Sequence, residues 1–493
     1  MDALAFRMGL LTAIKSKLAG GLAAGLMITA SHNPAPDNGV KIVETDGKMI
    51  AEQWESYATD LANMEHDQIL DYLIKLCPQD ADSLVYLGRD TRDSSQRLAN
   101  AAIEGIKCLT GSYVDFGLLT TPQLHLIVKA KNEGGMEPTE EGYYGKLSAA
   151  FHGLVSLGDI SDASDSRYKP HVFLDCANGV GGPKMVKFIT RLQHLIVHLY
   201  NTGDGVVNQN CGSDYVLTKQ ATPANCPVEV GQRWISFDGD ADRIIYFYKT
   251  TTGECNVLNG DKIACLCAIY VKELLEQSEA LKALNTSIVQ TAYSNSMSTK
   301  FAQSLGISVH CVATGVKNLI RQAEKSDVGI LFESNGHGSI AFSSKAIQTI
   351  RSEVAKGNLA AKKLQYIYEL LNQATGDAIS DMLLVEFILR VKNWTIEDWD
   401  AIYKEIPYSQ LTVSVPDRYF ITTNHNATVC LKPEGLQQEI EKLYSGFQDG
   451  VRAFVRPSGT EDIVRVYAEA FSSQDAVKLA NQVKDLVLKY AHA

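Results

Sequence analysis

Short apolar runs that end in a polar residue, with helical patterns between them, constrain this chain more than any other feature. LVYLG at 84–88, HVFLD at 171–175, WISFD at 234–238, SIVQTAY at 287–293 and VGILFES at 328–334 each have the length of a buried strand. Residues 24–29 read as another, after a helix over 4–18. Helical patterns at 94–108, 260–276, 316–325 and 345–372 fall between the runs. Strands alternating with helices predict an α/β fold with parallel pairing. Ligands of such sheets bind beyond the carboxyl ends of strands, where Ser31, Asp238 and Glu333 stand. The end of the chain changes character. LTVSV at 411–415, a helix at 434–446, strands at 452–456 and 463–469 and a helix at 474–491 predict a small α+β domain, entered through a polar linker, IPYSQ.

At 493 residues, three or four domains are expected, at roughly 150 residues each. Lys and Arg total 46 against 57 Asp and Glu, a formal charge of −11. Bulk attraction to nucleic acid or an anionic membrane is therefore not expected, although a local basic pocket for a small anion is compatible with it. The apolar stretch 18–30 is broken by three glycines and is too short for a membrane span, and it lacks the clean apolar core of a signal peptide. The ten cysteines form no C-x-x-C pair, which predicts reduced thiols and a cytoplasmic protein.

Four constellations carry chemistry. The first is Thr29-Ala30-Ser31-His32-Asn33-Pro34, followed by Lys41. A serine at a strand end beside a histidine reads as a covalent phosphoryl carrier or as an ordinary polar turn. The second is Asp238-Gly239-Asp240-Ala241-Asp242-Arg243. Carboxylates at alternate positions project to one side of an extended segment, and oxygen ligands suit a hard cation, magnesium or calcium. A calcium EF-hand loop fails, because Arg243 stands at its glycine position and Lys249 at its final glutamate. The third is Glu333-Ser334-Asn335-Gly336-His337-Gly338, which suits sugar hydroxyls or a polar turn. The fourth is Arg456-Pro457-Ser458-Gly459-Thr460-Glu461 with Arg465, which suits a phosphate dianion or a hairpin turn. The glycines at 179–182 do not match a dinucleotide or P-loop fingerprint.

Together and in this order, the four motifs resemble those of the α-D-phosphohexomutase superfamily. The resemblance spans nearly the whole chain and extends to GRDTR at 88–92, Thr120-Thr121-Pro122, DCANG at 175–179 and GDAISD at 376–381. FESNGHG and FVRPSGTEDIVRVYAEA are most similar to the eukaryotic phosphoacetylglucosamine branch. The resemblance implies three related α/β domains with mixed sheets and a small C-terminal α+β domain around a central cleft. They are expected at 1–160, 161–258, 259–405 and 406–493, supplying the phosphoserine, metal, sugar and phosphate loops in turn. The implied reaction interconverts N-acetylglucosamine 6-phosphate and 1-phosphate through a 1,6-bisphosphate, which also serves as primer, and feeds UDP-N-acetylglucosamine synthesis.

The implied site residues follow the motifs. One Mg2+ is expected on Asp238, Asp240, Asp242 and an oxygen of phospho-Ser31. Arg243 and Lys41 are expected to hold phosphoryl oxygens, and His32 and Lys41 both remain open for proton transfer. The sugar is assigned to Glu333, Ser334, Asn335, Gly336 and His337. The stationary phosphate is assigned to Arg456, Pro457, Ser458, Gly459, Thr460 and Arg465. The partner is a small phosphosugar, with no nucleic acid or membrane, and the chain is expected as a monomer or dimer. Family members carry a G-T-x-G-x-R segment ahead of the helix that starts here near Phe6, and no such segment precedes it. A weakened first domain with an exposed sheet edge is the expectation. Three rivals stay open: an aspartate-nucleophile phosphatase acting through Asp238, an impaired sugar-phosphate binder and another hexose phosphate mutase.

Overall fold

The computed structural model describes residues 1–77, 81–158, 166–447, 450–458 and 461–492. Two compact units emerge: residues 1–259, 335–339 and 350–397 form the first, and 260–334, 340–349 and 398–493 the second. No described helix is long and apolar enough to cross a membrane.

The first unit holds two mixed sheets. β1 (Ala23–Ile28), β2 (Val40–Val43), β3 (Leu84–Arg89) and β4 (Ser112–Leu118) lie in the order β2-β1-β3-β4. β1 runs parallel to β3 and antiparallel to β2. All six residues of β1 are buried, as a central strand covered on both faces requires. Leu26 and Ile28 pack into a core with Leu10, Leu11 and Ile14 of the helix Asp2–Leu18. On the opposite face, Ala23 and Met27 pack with Leu124, Ile127 and Val128 of the helix Thr121–Glu133. This period-two split places the end of β1, and so Ser31, at the top of the sheet.

The second sheet of this unit contains β5 (His171–Asp175), β6 (Ile196–Tyr200), β7 (Trp234–Phe237), β8 (Ile244–Lys249) and β9 (Cys255–Leu258), ordered β6-β5-β7-β8-β9. β7 and β8 are antiparallel neighbours, so residues 238–243 are the reversal between two buried strands. The helix Ala378–Lys392 is buried along most of its length. Its Glu386 pairs with Arg233 at 2.7 Å, and Tyr168 donates to the same carboxylate at 3.0 Å.

The second unit contains β10 (Thr286–Thr291), β11 (Ser308–Val312) and β12 (Val328–Phe332), and their sheet, ordered β11-β10-β12-β13, ends in β13 (Gly338–Phe342), whose residues from 340 onward belong to this unit. All three larger sheets thus open with the same strand order, second-first-third-fourth. The unit ends in β14 (Tyr408–Ser414), β15 (Thr422–Thr423), β16 (Cys430–Lys432), β17 (Arg452–Pro457) and β18 (Ile463–Glu469), of which β14, β18 and β17 pair antiparallel. The helix Ser473–Ala491 covers them with Ala476, Leu479, Ala480, Val483 and Val487, a stripe at helical spacing.

Two sequence expectations are corrected. The helical stretch 345–372 is two helices, Ser344–Ala355 and Leu359–Leu370. Gly357 takes a left-handed φ of +83°, and the Asn358 side chain caps the second helix on the amide of Ala361. The linker read into IPYSQ is shorter, because Tyr408, Ser409 and Gln410 already pair with β18.

The helices Asp2–Leu18 and Ser95–Cys108 cross at two glycines. A Cβ on Gly9 would lie 2.1 Å from the carbonyl oxygen of Ala102, and one on Gly105 would lie 2.1 Å from that of Phe6. In an open helix, Gly→Ala stabilises by about 0.5–1 kcal/mol. At this crossing the sign reverses. Gly9→Ala is expected to destabilise by about 1–3 kcal/mol through overpacking. Urea unfolding checks this, and an unchanged or raised midpoint would contradict the close crossing.

Candidate active site

Ser31 follows β1 in a left-handed conformation, φ 49°, which carries roughly 1–3 kcal/mol of strain in a non-glycine residue. Its surroundings over-determine that geometry. The buried guanidinium of Arg92 donates to four carbonyls of the loop: Ser31 at 3.0 Å, Asn33 at 2.9 Å, Pro34 at 2.5 Å and Asp37 at 2.9 Å. Asp90 holds the same guanidinium through Nε at 2.9 Å. Asn208 adds bonds to the carbonyls of Ser31 at 2.8 Å and Asn33 at 3.0 Å. The Ser31 amide donates to Thr29 Oγ1 at 3.0 Å. With its backbone tied back, the serine turns Oγ to Asp240 Oδ2, 3.1 Å away.

The carboxylates of Asp238, Asp240 and Asp242 are buried, and one ligand atom from each lies within 4.8 Å of the others. Residues 238–242 are a turn, which corrects the extended reading of the sequence. Ala241 is left-handed at φ 56°, and its amide donates back to the Asp238 carbonyl at 3.2 Å. The turn therefore brings the three carboxylates together by curling. Gly239 is required here, because a Cβ would stand 2.5 Å from the Ser31 carbonyl oxygen.

Each of the three carboxylates uses one oxygen on the protein. Asp238 Oδ1 accepts the amides of Asp242 and Arg243 at 3.1 and 3.2 Å. Asp240 Oδ2 accepts from Ser31, from Lys41 at 2.8 Å and from Thr121 Oγ1 at 2.6 Å. Asp242 Oδ2 accepts from Lys41 at 2.9 Å. The second oxygens, Asp238 Oδ2, Asp240 Oδ1 and Asp242 Oδ1, are buried without a hydrogen-bond partner. Three orphaned carboxylate oxygens on one turn fit a hard divalent cation. At an effective dielectric of about 20, two unit charges at such separations repel by about 3–4 kcal/mol, which a cation would offset.

The electrostatics divide the residues. Burial, and then Asp242 and Asp240, push the Asp238 carboxyl well above the usual range. Burial also opposes ionisation of Asp242, but Lys41, His337 and Arg243 outweigh it and hold this carboxyl well below the usual range. Burial disfavours the charge on Lys41, yet Asp240 and Asp242 raise its pKa above the ordinary lysine value. His32 moves the other way: burial and then Arg243 lower its pKa, and its Nδ1 has no hydrogen-bond partner.

The remaining expected residues take varied places. His337 lies against the aspartate turn. Its ring is buried, with Nδ1 3.6 Å from Asp242 Oδ1. Asn335 Oδ1 accepts the His337 amide, and the carbonyl of Gly336, at φ 87°, accepts the Ile244 amide at 3.2 Å. In the second unit, Glu333 Oε1 accepts the Gly315 amide at 3.0 Å, and Ser334 Oγ donates to Asp261 at 3.1 Å. Arg456 and Arg465 face each other in register across β17 and β18. Like charges directly opposite are unfavourable until an anion joins them. Pro457 ends β17 at that register, and the Ser458 amide donates to the Ile463 carbonyl at 2.9 Å. Gly459 and Thr460 lie outside the described residues.

Three residues join the site that motif reading had not assigned a role: Arg92, Thr121 and Asn208. Arg92 and Thr121 stand in the landmarks GRDTR and Thr120-Thr121-Pro122, whereas Asn208 has no local signal at all. Thr121 donates both its hydroxyl and its amide, the latter to the Asp240 carbonyl at 3.2 Å. That amide is one of the orphan donors of a helix first turn.

Known proteins resemble the chain along its whole length. The family "Phosphoacetylglucosamine mutase AMG1, domain III" matches residues 259–394, and its domain II matches 135–245. "Phosphoglucomutase/phosphomannomutase, alpha/beta/alpha domain I" matches 10–68 and 62–136, and the C-terminal domain of that family matches 427–486. The phosphoacetylglucosamine mutase of Sus scrofa is 44% identical over 506 residues, covering 100% of this chain and 92% of the relative. The crystal structure of Aspergillus fumigatus N-acetylphosphoglucosamine mutase in complex with GlcNAc-6P and magnesium is 38% identical and superposes with a TM-score of 0.94, covering 100% of this chain and 93% of that one. A variant of the same fungal enzyme in complex with glucose 1,6-bisphosphate superposes at 0.92, with 38% identity and coverage of 100% and 93%.

The orphaned oxygens generate a test. Magnesium at a hundredfold excess over its dissociation constant should stabilise the folded chain by about 2.7 kcal/mol. Asp238→Asn should abolish that gain. A melting temperature that magnesium raises equally in both proteins would place the ion elsewhere.

Proposed function

The chain belongs to the phosphoacetylglucosamine mutase family, and on that premise we propose that it interconverts N-acetylglucosamine 6-phosphate and N-acetylglucosamine 1-phosphate through a phosphoserine at Ser31. The observation that carries this reading is the Ser31 hydroxyl held 3.1 Å from a carboxylate of the buried aspartate turn, on a backbone fixed by Arg92 and Asn208.

In the resting enzyme Ser31 carries the phosphoryl group. Asp238, Asp240, Asp242 and a phosphoserine oxygen hold Mg2+, which when bound offsets charge on the transferring phosphoryl oxygens. In the forward step the sugar O–P bond forms as the Ser31 Oγ–P bond breaks. Over that step one proton moves from the sugar hydroxyl to Ser31 Oγ by way of His32. The resulting 1,6-bisphosphate turns round, and its other sugar O–P bond breaks as a new Ser31 Oγ–P bond forms, while one proton passes back from Ser31 Oγ to the released sugar oxygen.

His32 is the proton carrier because its Nδ1 is unpartnered, whereas Lys41 Nζ is engaged by two carboxylates. Lys41 then serves as a fixed cation and, with Arg243, holds phosphoryl oxygens. Glu333, Ser334, Asn335 and Gly336 present the sugar, while the stationary phosphate is held by Arg456, Pro457, Ser458, Gly459, Thr460 and Arg465. The paired arginines of β17 and β18 support that last assignment. Holding the remote phosphate supplies positioning energy at the reacting end. His337 stays proposed for the sugar, and its place 3.6 Å from Asp242 supports a second contact with the metal turn.

The proposed domains are 1–160, 161–258, 259–405 and 406–493. Ten free cysteines support a cytoplasmic location, and the net charge of −11 supports a chain that works without nucleic acid; a monomer or dimer is proposed.

Two variants test the reading. Ser31→Ala should abolish formation of the 1-phosphate from the 6-phosphate in the presence of magnesium and bisphosphate primer. Retained turnover would instead favour a nucleophile on the aspartate turn. His32→Gln should lower kcat by about 10²–10⁴-fold. In a single-turnover experiment it should slow transfer from phospho-Ser31, and an unaltered transfer rate would remove His32 from the proton path.

A further inference from the structure

Behind the metal turn lies a polar cluster that the reaction does not use. Tyr143, of the helix Glu140–Ser156, is fully buried, and its hydroxyl donates to both carboxylate oxygens of Asp377, at 2.9 and 3.0 Å. Asp377 Oδ1 also accepts the amides of Ile379 and Ser380, which caps the helix Ala378–Lys392. Asn372 Nδ2 donates to Asp377 Oδ2 at 3.4 Å and to the Pro122 carbonyl at 3.1 Å. Its own carbonyl accepts from Ser339 Oγ at 3.1 Å. All these groups are buried polar atoms, and such networks hold one arrangement firmly when satisfied.

What distinguishes the cluster is where its arms end. Through Pro122 it fixes Thr121, whose hydroxyl and amide both bind Asp240. Through the capped helix it presents the Ala378 amide to the Ala241 carbonyl at 3.2 Å. Through Gly376 it backs His337: a Cβ at 376 would stand 2.6 Å from that ring, whose Nδ1 is 3.6 Å from Asp242. Three arms thus reach three consecutive residues of the turn, 240, 241 and 242, and the middle one is the strained Ala241.

We propose that Tyr143, Asn372 and Asp377 are positioning residues that hold the Asp238–Asp242 turn in its cation-binding shape, acting through Thr121, Ala378 and His337. The inference rests on the metal reading of that turn. It assigns the cluster a share in the affinity for the divalent ion, beyond its contribution to fold stability. Curled carboxylates repel one another, and a turn released on one side would let them separate before an ion binds. Outer partners of this kind typically set 10–100-fold of metal affinity.

The test uses the full chain, dephosphorylated, and measures binding of Mn2+ by the loss of its free-ion EPR signal. Tyr143→Phe removes one hydroxyl and keeps the ring. Gly376→Ala pushes directly on His337. Val155→Ala, on the same helix as Tyr143 and away from the cluster, controls for a simple loss of stability. The proposal expects Mn2+ affinity to fall about 10-fold or more in Tyr143→Phe and Gly376→Ala, and less than twofold in Val155→Ala. It also expects the magnesium requirement of turnover to rise in the first two, with KM for the phosphosugar unchanged. Affinity within twofold of the unsubstituted chain in both cluster variants, with only melting temperatures lowered, would overturn it. Failure of the unsubstituted chain to bind Mn2+ would overturn both this inference and the metal reading.

Discussion

Mutual repulsion among three buried carboxylates is the constraint on which the rest of the site depends. Asp238, Asp240 and Asp242 are brought together by a turn between two buried strands, and each keeps one oxygen without a hydrogen-bond partner. Such an arrangement is stable only if positive charge is supplied, and Lys41 supplies part of it at 2.8 and 2.9 Å. Arg243 and His337 stand beside Asp242 as well, and a bound cation would supply the rest. The same demand explains why Thr121 donates its hydroxyl and amide there and why Ser31 points its hydroxyl at Asp240. The serine is thereby placed where its phosphate would complete the ion's oxygen ligands, so the charge that must be neutralised and the group that must be transferred share one location.

The backbone around Ser31 follows a complementary logic. A left-handed serine persists only when its neighbours leave it no alternative, and here six hydrogen bonds from Arg92 and Asn208 hold the loop by its carbonyls. Because those donors bind backbone oxygens, the side chains of Ser31 and His32 stay available for chemistry. Arg92 is itself held by Asp90, so the clamp is rigid as well as numerous. Preorganisation of this kind removes reorganisation from the reacting step.

Much of this was legible in the sequence, and the exceptions have physical causes. The strand ends at Ser31 and Asp238 were visible because buried strands read as short apolar runs, and the chemistry follows each within a few residues. Thr121, Arg92 and Asn208 act across 119, 61 and 177 residues, and no local pattern reports such pairings. The helix Ala378–Lys392 was missed because it is apolar on nearly every side, so it lacks the amphipathic period that marks a surface helix. The polar, glycine-rich motif assigned His337 to the sugar, and only the fold reveals a further neighbour: its Nδ1 lies 3.6 Å from Asp242 Oδ1, with the Gly376 backbone packed close to the ring. The single break at Gly357 divided what the apolar spacing presented as one long helix.

The central claim is that the phosphoryl group travels on Ser31 and that the aspartate turn holds an ion, with no aspartate acting as nucleophile. The most direct measurement is to incubate the full chain with glucose 1,6-bisphosphate and magnesium, digest it, and locate the phosphate by mass spectrometry. The account predicts an acid-stable, hydroxylamine-resistant phosphate ester on Ser31 whose label, when the primer is isotopically labelled, passes to the sugar when N-acetylglucosamine 6-phosphate is added. A hydroxylamine-labile phosphate on Asp238, with Ser31 unmodified, would contradict it.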